Sequence, residues 1–592
     1  MNRLCYRIVF NRLRGMLMAV AECACARSRS SGQGRRPVPQ QPPPPASVAA
    51  RLRPTVLRCW LAFGLVLPAL PAPAQIVAYK NPPAGQTPTV LAAPNGVPLV
   101  NIRTPNAAGL SHNAYSRFDV PPQGTLLNNS PDAVQTQLGG WVQGNPWLAT
   151  GSARIILNEV FSNDPSLLRG YIEVAGQQAQ VVVANPSGVT CTGCGFIHAH
   201  RVTLTTGTPR VAADGRLDAY RVTGGTVLID GNGLDTSSSD FTEIIARAVR
   251  VNAGLWARQL HVAAGTSLVD AATLDTTPLA SPTPAPALAI DVASLGGMYA
   301  RKITLVGTEA GVGVRSAGTL GASIGEFVIS AAGHLENTGT LTSADALRVT
   351  TTGLRNSGTF YAQGEARVST TGVLENDGLI ASAAHTAIAA ARFIGTSGGV
   401  IASGLASDGN LGATGDLHLD ITQGLTGPGQ ILSGGDQTLR AAQIDLSGAQ
   451  LSGRAVTLAA DAADLTLSDA TVSAREALSL NAAQTLRTDR AQLSADQLHL
   501  SAHDLSNRQG QILQLGAGDL TLQLPGTLDN RDGRIATNSR NVSIAANTLD
   551  TTAGTLQHAG AGTFSLSADT LTAAGATLQS NGTLDLLAQR LS

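Results

Sequence analysis

Apolar residues in the second half of this chain come in pairs separated by one outward-type residue, and the pairs return at a nearly constant interval. Val456-Thr457-Leu458, Leu478-Ser479-Leu480, Leu498-His499-Leu500 and Leu520-Thr521-Leu522 are examples. A period of two is that of a strand, with the aliphatic pair on one face and the middle residue on the other. Aligning each glycine-led turn with the apolar residue after it gives one anchor per repeat: Leu341, Phe360, Ile380, Ile401, Ile431, Leu451, Val472, Leu493, Ile512, Ile535, Leu556 and Leu578. Successive anchors lie 19 to 23 residues apart, except that Ile401 and Ile431 are 30 apart and mark an insertion near residues 403–415. Repeats of this length made of strands and turns predict a solenoid, here a right-handed parallel β-helix over residues 323–592. A leucine-rich repeat has a similar period but needs a Leu-x-x-Leu-x-Leu-x-x-Asn core and a helical arc, and neither is found. Asn337, Asn356, Asn376, Asn507 and Asn530 share one turn position, so interrupted asparagine ladders are expected. Twelve coils at about 4.8 Å each would rise on the order of 55 to 60 Å. The pattern is still running at Leu591-Ser592, which reads as a fragment or truncated product, because an uncovered solenoid end exposes strand edges.

Residues 75–322 show turn clusters every ten or so residues, short β-rich runs and no sustained helical period, and also read as all-β. Val181-Val182-Val183 suits a buried strand, and Asn185-Pro186-Ser187-Gly188 stops it. Proline removes a ladder donor and fixes φ, while Gly188 permits a reversal that residues with a Cβ resist. Residues 202–206 alternate Val, Thr, Leu, Thr, Thr before Gly207, the signature of a half-buried strand. Residues 273–286, rich in Pro, Thr and Ala, read as a surface loop.

Composition changes the picture at the amino end. Of 40 Lys and Arg, eleven fall before residue 75 against one of the 40 acids, so a basic leader precedes a remainder with 29 bases and 39 acids. That acidic balance argues against a general nucleic-acid-binding surface. The apolar run at residues 59–70 is too short to span a bilayer as a helix, and Ala72-Pro73-Ala74 offers small residues for cleavage after Ala74, leaving Gln75 as the new terminus. Residues 1–74 therefore read as an extended signal peptide. With 4% aromatic residues, small aliphatic side chains must fill the core.

Candidate chemistry is sparse. Cys191-Thr192-Gly193-Cys194 permits a small-loop disulfide, a redox dithiol or half of a zinc site. In an exported chain with no other cysteine beyond the leader, a disulfide is expected; the flanking glycines speak against the helix that a redox dithiol needs. His198 and His200, as i and i+2 on a strand, would share a face and could join the cysteines as ligands, but two solvated histidines are the expected arrangement. β-Helices also host polysaccharide-cleaving enzymes, which need acids clustered on one stacked face. Asp445, Asp461, Asp464, Asp469 and Asp489 instead scatter over turns, so no catalytic activity, no cofactor and no metal is expected of these residues.

The stretch from residue 181 to residue 209, VVVANPSGVTCTGCGFIHAHRVTLTTGTP, closely resembles the secretion domain of two-partner secretion exoproteins, the family of filamentous haemagglutinin-like adhesins and related haemolysins and contact-dependent inhibition exoproteins. The resemblance extends over nearly all of residues 75–322. VNIRTPNAAGLSHNAYSRFDV at residues 100–120 looks like the family's opening block, and FTEIIARAVRV at 241–251 and GMYARKITLV at 297–306 look like later ones. Asn145-Pro146-Trp147-Leu148 stands where the family commonly has Asn-Pro-Asn-Leu, and Asn185-Pro186-Ser187-Gly188 where it has Asn-Pro-Asn-Gly, each departing at the third place. The basic leader is similar to the family's long signal peptides. The resemblance implies a capped amino-terminal secretion domain and a secretion motif at Asn145, Pro146, Leu148, Asn185, Pro186 and Gly188. It implies recognition of residues 75–322 by the periplasmic domains of an outer-membrane transporter, then folding outside a Gram-negative cell. A secreted adhesin is the expected function, with an unidentified host-cell receptor or carbohydrate as partner. The alternative is the export and stalk portion of a longer haemolysin or contact-dependent toxin.

Overall fold

Residues 6–11, 16–21, 75–82, 85–281 and 283–592 are described by a computed structural model of the protein. Residues 1–74 and 75–592 form separate units. In the first, strands Tyr6–Asn11 and Met16–Ala21 pair antiparallel. Ala74 and the apolar run of the expected leader lie outside the described residues; Gln75 is exposed.

The second unit is a parallel β-solenoid whose coils each contribute up to three strands, one to each of three ladders. The first ladder begins Leu110–Phe118, Ile155–Val160, Ala179–Ala184, Ala199–Thr205, every pair parallel. The second begins Ser166–Leu168, Val189–Cys191, Thr226–Ile229. The third begins Pro98–Asn101, Thr125–Asn129, Tyr171–Gly176, Cys194–Ile197. Between them the side chains of one apolar column per strand fill a continuous core from Ile76 to Leu571.

All twelve sequence anchors fall in the third ladder and pair each with the next, from Leu341 opposite Phe360 through to Leu556 opposite Leu578. The 30-residue interval is absorbed without loss of register: Ile401 still faces Ile431, and the extra residues leave the coil at Gly404, where a left-handed φ of 77° starts a loop closed by a bridge between Leu405 and Leu411. The expected inward pairs also stack, with Leu458 opposite Leu480 and Leu480 opposite Leu500.

The amino end is capped by antiparallel strands. Ile76–Ala78 runs antiparallel to Leu110–Phe118, and Thr89–Ala92 folds back on Pro98–Asn101. A hairpin of Val134–Thr136 and Gly140–Val142 covers a small apolar patch that includes Leu99, Leu126 and Ala175.

One feature differs from the reading of residues 202–206 as half-buried. Thr203 and Thr205 are as buried as Val202 and Leu204. Two excursions from the solenoid supply strands Thr208–Val211, Leu217–Val222, Ser267–Asp270 and Thr276–Pro278, which pair antiparallel into a side sheet. It packs on the outer side of the first ladder, and Tyr220, Val222 and Val269 meet Leu110, Leu157 and Val182 in a second core. That is also why residues 181–183 are apolar without alternation: Val181 and Val183 face the solenoid interior and Val182 faces the side sheet. The expected loop at 273–286 accordingly contributes an edge strand, Thr276–Pro278.

Beneath the side sheet lies a polar network. Arg201 Nε donates to Glu243 Oε1 at 2.5 Å, Thr203 Oγ1 donates to Glu243 Oε2 at 2.7 Å, and Arg201 donates onward to the carbonyl of Ala271 at 2.9 Å. Burial raises the Glu243 carboxyl against the opposing pull of Arg201. His261 is opposite Glu243 in the adjoining strand, and its buried Nε2 has no hydrogen-bond partner.

Candidate functional site

Strand Ala179–Ala184 ends where the chain must turn from the first ladder to the second, and Asn185 makes that corner. Its Oδ1 accepts the amide of Ser187 at 2.9 Å, the two-residue reach that asparagine uses to imitate a backbone turn. Its Nδ2 donates to the Asp164 carbonyl at 2.9 Å and to Ser166 Oγ at 3.0 Å, both in the preceding coil. The Gly188 amide closes the turn on the Asn185 carbonyl at 3.0 Å. Gly188 has φ 129°, and a Cβ there would sit 3.1 Å from the Thr226 carbonyl of the next coil, so both conformation and space call for glycine. Asn185 is fully buried and Pro186 is exposed.

The second motif repeats this arrangement at a different corner, where the chain passes from the third ladder to the first. Asn145 Oδ1 accepts the amide of Trp147 at 3.0 Å, and its Nδ2 donates to the carbonyls of Ile102 and Asn128 at 2.8 and 2.9 Å. Pro146 then opens a short 3-10 helix, Pro146–Leu148, with Leu148 sealed in the core. In both motifs the asparagine side chain satisfies one turn amide and two acceptors from earlier chain, and the third residue uses only its backbone amide in that bond. Serine or tryptophan can therefore stand at the third place without altering the clamp. The structure does not bring the two motifs to one corner. Pro146, Trp147 and Pro186 face outward, while Asn145, Leu148, Asn185 and Gly188 do not.

Trp147 is held at the surface by three contacts. The Arg103 guanidinium lies 4.0 Å from its ring centroid, its Nε1 donates to Thr89 Oγ1 at 3.2 Å, and its carbonyl accepts from Thr104 Oγ1 at 2.7 Å. Nearby in the sequence, Trp141 at the hairpin is 65% exposed. From the sequence Trp147 stood only as a departure at the third place of its motif and Trp141 was not named, although two tryptophans within seven residues of a chain with four in all was a visible signal.

Cys191 ends a strand of the second ladder and Cys194 begins one of the third, with their Cα atoms 5.4 Å apart and their sulfurs at bonding distance inside the core. Gly193 makes the loop between them with φ 94°, and its amide donates to the Gly233 carbonyl of the next coil at 2.9 Å. His198 is not on a strand face with His200: it occupies the next corner in a left-handed conformation, φ 60°, and is exposed. Among the described residues no group of three or more His, Cys, Asp or Glu is arranged to hold a metal ion. The turn carboxylates are engaged one by one with neighbouring coils. Arg440 reaches Asp461 at 2.8 Å, Arg490 reaches Asp469 at 2.7 Å, and Ser506 donates to Asp489 at 2.6 Å. No described helix is long and apolar enough to cross a membrane.

Comparison with known proteins finds three family models along this chain. The TPS secretion domain matches residues 74–337, the extended signal peptide of type V secretion systems matches residues 1–41, and the haemagglutinin repeat matches residues 456–523 and 515–592. Among similar proteins are a "Toxin CdiA" of Yersinia pestis, 45% identical over 91% of this chain and 16% of that protein, and a "tRNA nuclease CdiA-2" of Burkholderia pseudomallei, 38% identical over 84% of this chain and 16% of that protein. The chain thus spans about one-sixth of the length of these relatives. Among solved structures, the filamentous hemagglutinin secretion domain is 26% identical, with a TM-score of 0.39 over 64% of this chain and 98% of that one. The chain belongs to the two-partner secretion exoproteins of Gram-negative bacteria and carries the signal peptide, secretion domain and haemagglutinin repeats of their filamentous haemagglutinin-like members.

Proposed function

We propose that the chain is the exported shaft of a filamentous adhesin, with residues 75–322 read by the transporter's periplasmic domains and residues 323–592 extending the fibre toward a host-cell receptor or carbohydrate. The observation that carries the reading is the paired construction of the two Asn-Pro corners. Each buries its asparagine as a clamp and leaves a proline outside. In this reading Asn145, Leu148, Asn185 and Gly188 set the shape, and Pro146, Trp147 and Pro186 are what the transporter touches. The Cys191–Cys194 pair is oxidised in the secreted protein and pins the corner next to the Asn185-Pro186 motif.

The test separates shape from contact. The protein is co-expressed with its transporter, and supernatant and periplasm are compared for the natural chain, Asn185→Ile and Trp147→Ala. Asn185→Ile leaves the Asp164 carbonyl, the buried Ser166 hydroxyl and the Ser187 amide without their partner and is expected to lose both secretion and protease resistance. Trp147→Ala, with its ring outside, is expected to lower secretion while circular dichroism stays unchanged. Full secretion of both variants overturns the assignment of the motifs.

A second reading is favoured by the names of the relatives. Toxin and nuclease proteins match 91% and 84% of this chain, so these residues equally serve as the export and stalk portion of a toxin-delivering exoprotein. Co-culture of a producing strain with sensitive bacteria decides between them: loss of the neighbours favours delivery, and binding to host cells without such loss favours adhesion. No catalytic role is proposed for the described residues.

A further inference from the structure

The outward column of the third ladder runs, coil by coil, through Tyr171, Gly195, Asp235, Trp256, Tyr299 and Gly321. Three of these are aromatic in a chain that is 4% aromatic. Tyr171 and Trp256 are 38% and 42% exposed. The rings lie flat on the sheet. A Cβ on Gly195 would collide with the Tyr171 ring, one on Gly254 with the Trp256 ring, and one on Gly297 with the Tyr299 ring, so the glycines clear the floor the rings rest on. Rings standing upright on strands about 4.8 Å apart would stack at about that spacing. The Trp256 and Tyr299 centroids are 6.3 Å apart, wider than that spacing, with planes 20° from parallel.

We propose that this row is a stacking platform for a neutral polysaccharide chain. The platform rests on the adhesion reading above and gives it a ligand class. An aromatic face is electron-rich and packs against the C–H face of a sugar ring, and the five coils from Tyr171 to Tyr299 give about 20 Å of track, roughly four sugar rings. Charge selects among glycans. Asp235 is the one carboxylate in the column; it accepts from Ser237 at 2.7 Å and from Tyr171 Oη at 3.4 Å, so it offers acceptor oxygens to hydroxyls and repels uronates, sulfates and phosphates. Arg258, two residues past Trp256, is paired with Asp240 at 3.0 Å, and Arg301 lies beyond the strand end at Ala300. The chain itself distinguishes this stretch from the rest of the column. Further along, Tyr361 donates to the Leu405 carbonyl at 3.0 Å and is covered by the 403–415 insertion, whereas no segment of the described residues covers Trp256.

The test titrates the purified protein by calorimetry with cellohexaose, chitohexaose and maltohexaose, and with hexagalacturonate as the acidic counterpart. At least one neutral hexasaccharide is expected to bind and the acidic one is not. Trp256→Ala is expected to weaken binding by about tenfold or more. Gly254→Ala keeps the indole but leaves it no room to lie flat, and is expected to weaken binding as well. Phe241→Ala, an exposed aromatic on the first ladder, is expected to change nothing. The proposal is overturned if none of the neutral sugars binds or if Trp256→Ala binds as the natural chain does. It is also overturned if Trp256→Ala lowers capture by the transporter's periplasmic domains without any sugar being bound, since the face then belongs to the transporter. Cell binding that persists together with sugar binding in Trp256→Ala removes the platform and leaves adhesion standing; sugar binding without cell binding removes adhesion and leaves the platform.

Discussion

Asparagine is the residue that solves the recurring local problem in this molecule, the buried corner. Asn337 Nδ2 donates to Asn356 Oδ1 at 2.8 Å, and Asn356 Nδ2 donates to Asn376 Oδ1 at 2.8 Å, so each amide satisfies its neighbour in the next coil. A second ladder joins Thr488, Asn507, Asn530 and Thr551 in the same way. These ladders were legible in the sequence because the five asparagines recur at one repeat position; the threonines that extend the second were not, since threonine is common throughout the repeats. Asn356→Leu breaks two ladder bonds at once and strands two buried partners. It is expected to destabilise the surrounding coils by about 2–4 kcal/mol, read as faster hydrogen exchange of the amides near residues 337 and 376, and unchanged exchange there would show that the ladder contributes nothing. The left-handed turn shared by Asp469, Arg490, Gln509, Asp532 and Ala553, all with φ between 54° and 61°, carried no such signal. Glycine holds the position only at Gly448 and Gly575, so no single residue type announces it.

Strands are the next scale, and here the inward pair decides. Leu480 is 1% exposed between Leu458 and Leu500, whereas Ser479 faces outward. Leu480→Asp places a carboxylate where nothing pairs with it, and about 3–5 kcal/mol of local destabilisation is expected. Ser479→Asp is expected to cost less than about 0.5 kcal/mol. Limited proteolysis around residues 477–482 compares them, and equal resistance would overturn the register. The aliphatic repeat made this stretch readable from the sequence alone. The side sheet was not readable, because its strands come from two excursions roughly 45 residues apart and its covered face carries threonines at 203 and 205, which alternate like solvent-facing residues. Beside the apolar second core, that face also buries the Arg201–Glu243 pair and His261, and these groups give the sheet a pH dependence. Burial, reinforced by the Arg201 charge, holds the His261 imidazole at about 4, below its ordinary 6.5. Between those two values the unfolded chain takes up a proton that the folded one refuses, so the stability present above pH 6.5 is lost as the pH falls toward 4, by about 3 kcal/mol at most. Glu243, whose carboxyl burial raises, returns part of this loss on acidification. Hydrogen exchange of residues 208–222 and 267–278 is expected to quicken between pH 7 and pH 5 in the natural chain and to change less in His261→Gln; equal changes in both would exclude His261 as the cause.

For the solenoid, the governing fact is that the backbone of each coil pairs with its two neighbours, while the side sheet joins strands from two distant excursions. A chain emerging amino end first can therefore add coils to a capped start as they appear, and the loop-closure cost of each addition is small and repeated. The side sheet is the exception, since strands 208–222 wait for 267–278 to arrive. The anchor ladder has a mechanical consequence as well. Pulled from its carboxyl end, such a stack detaches one turn at a time, like thread drawn from a spool, and each detachment releases the residues between successive anchors. Intervals of 19 to 23 residues correspond to lengthening steps of about 65–80 Å of extended chain. The interval from Ile401 to Ile431 corresponds to a single longer step of about 100 Å, which would mark in a force trace the moment at which the fibre has unravelled to its insertion.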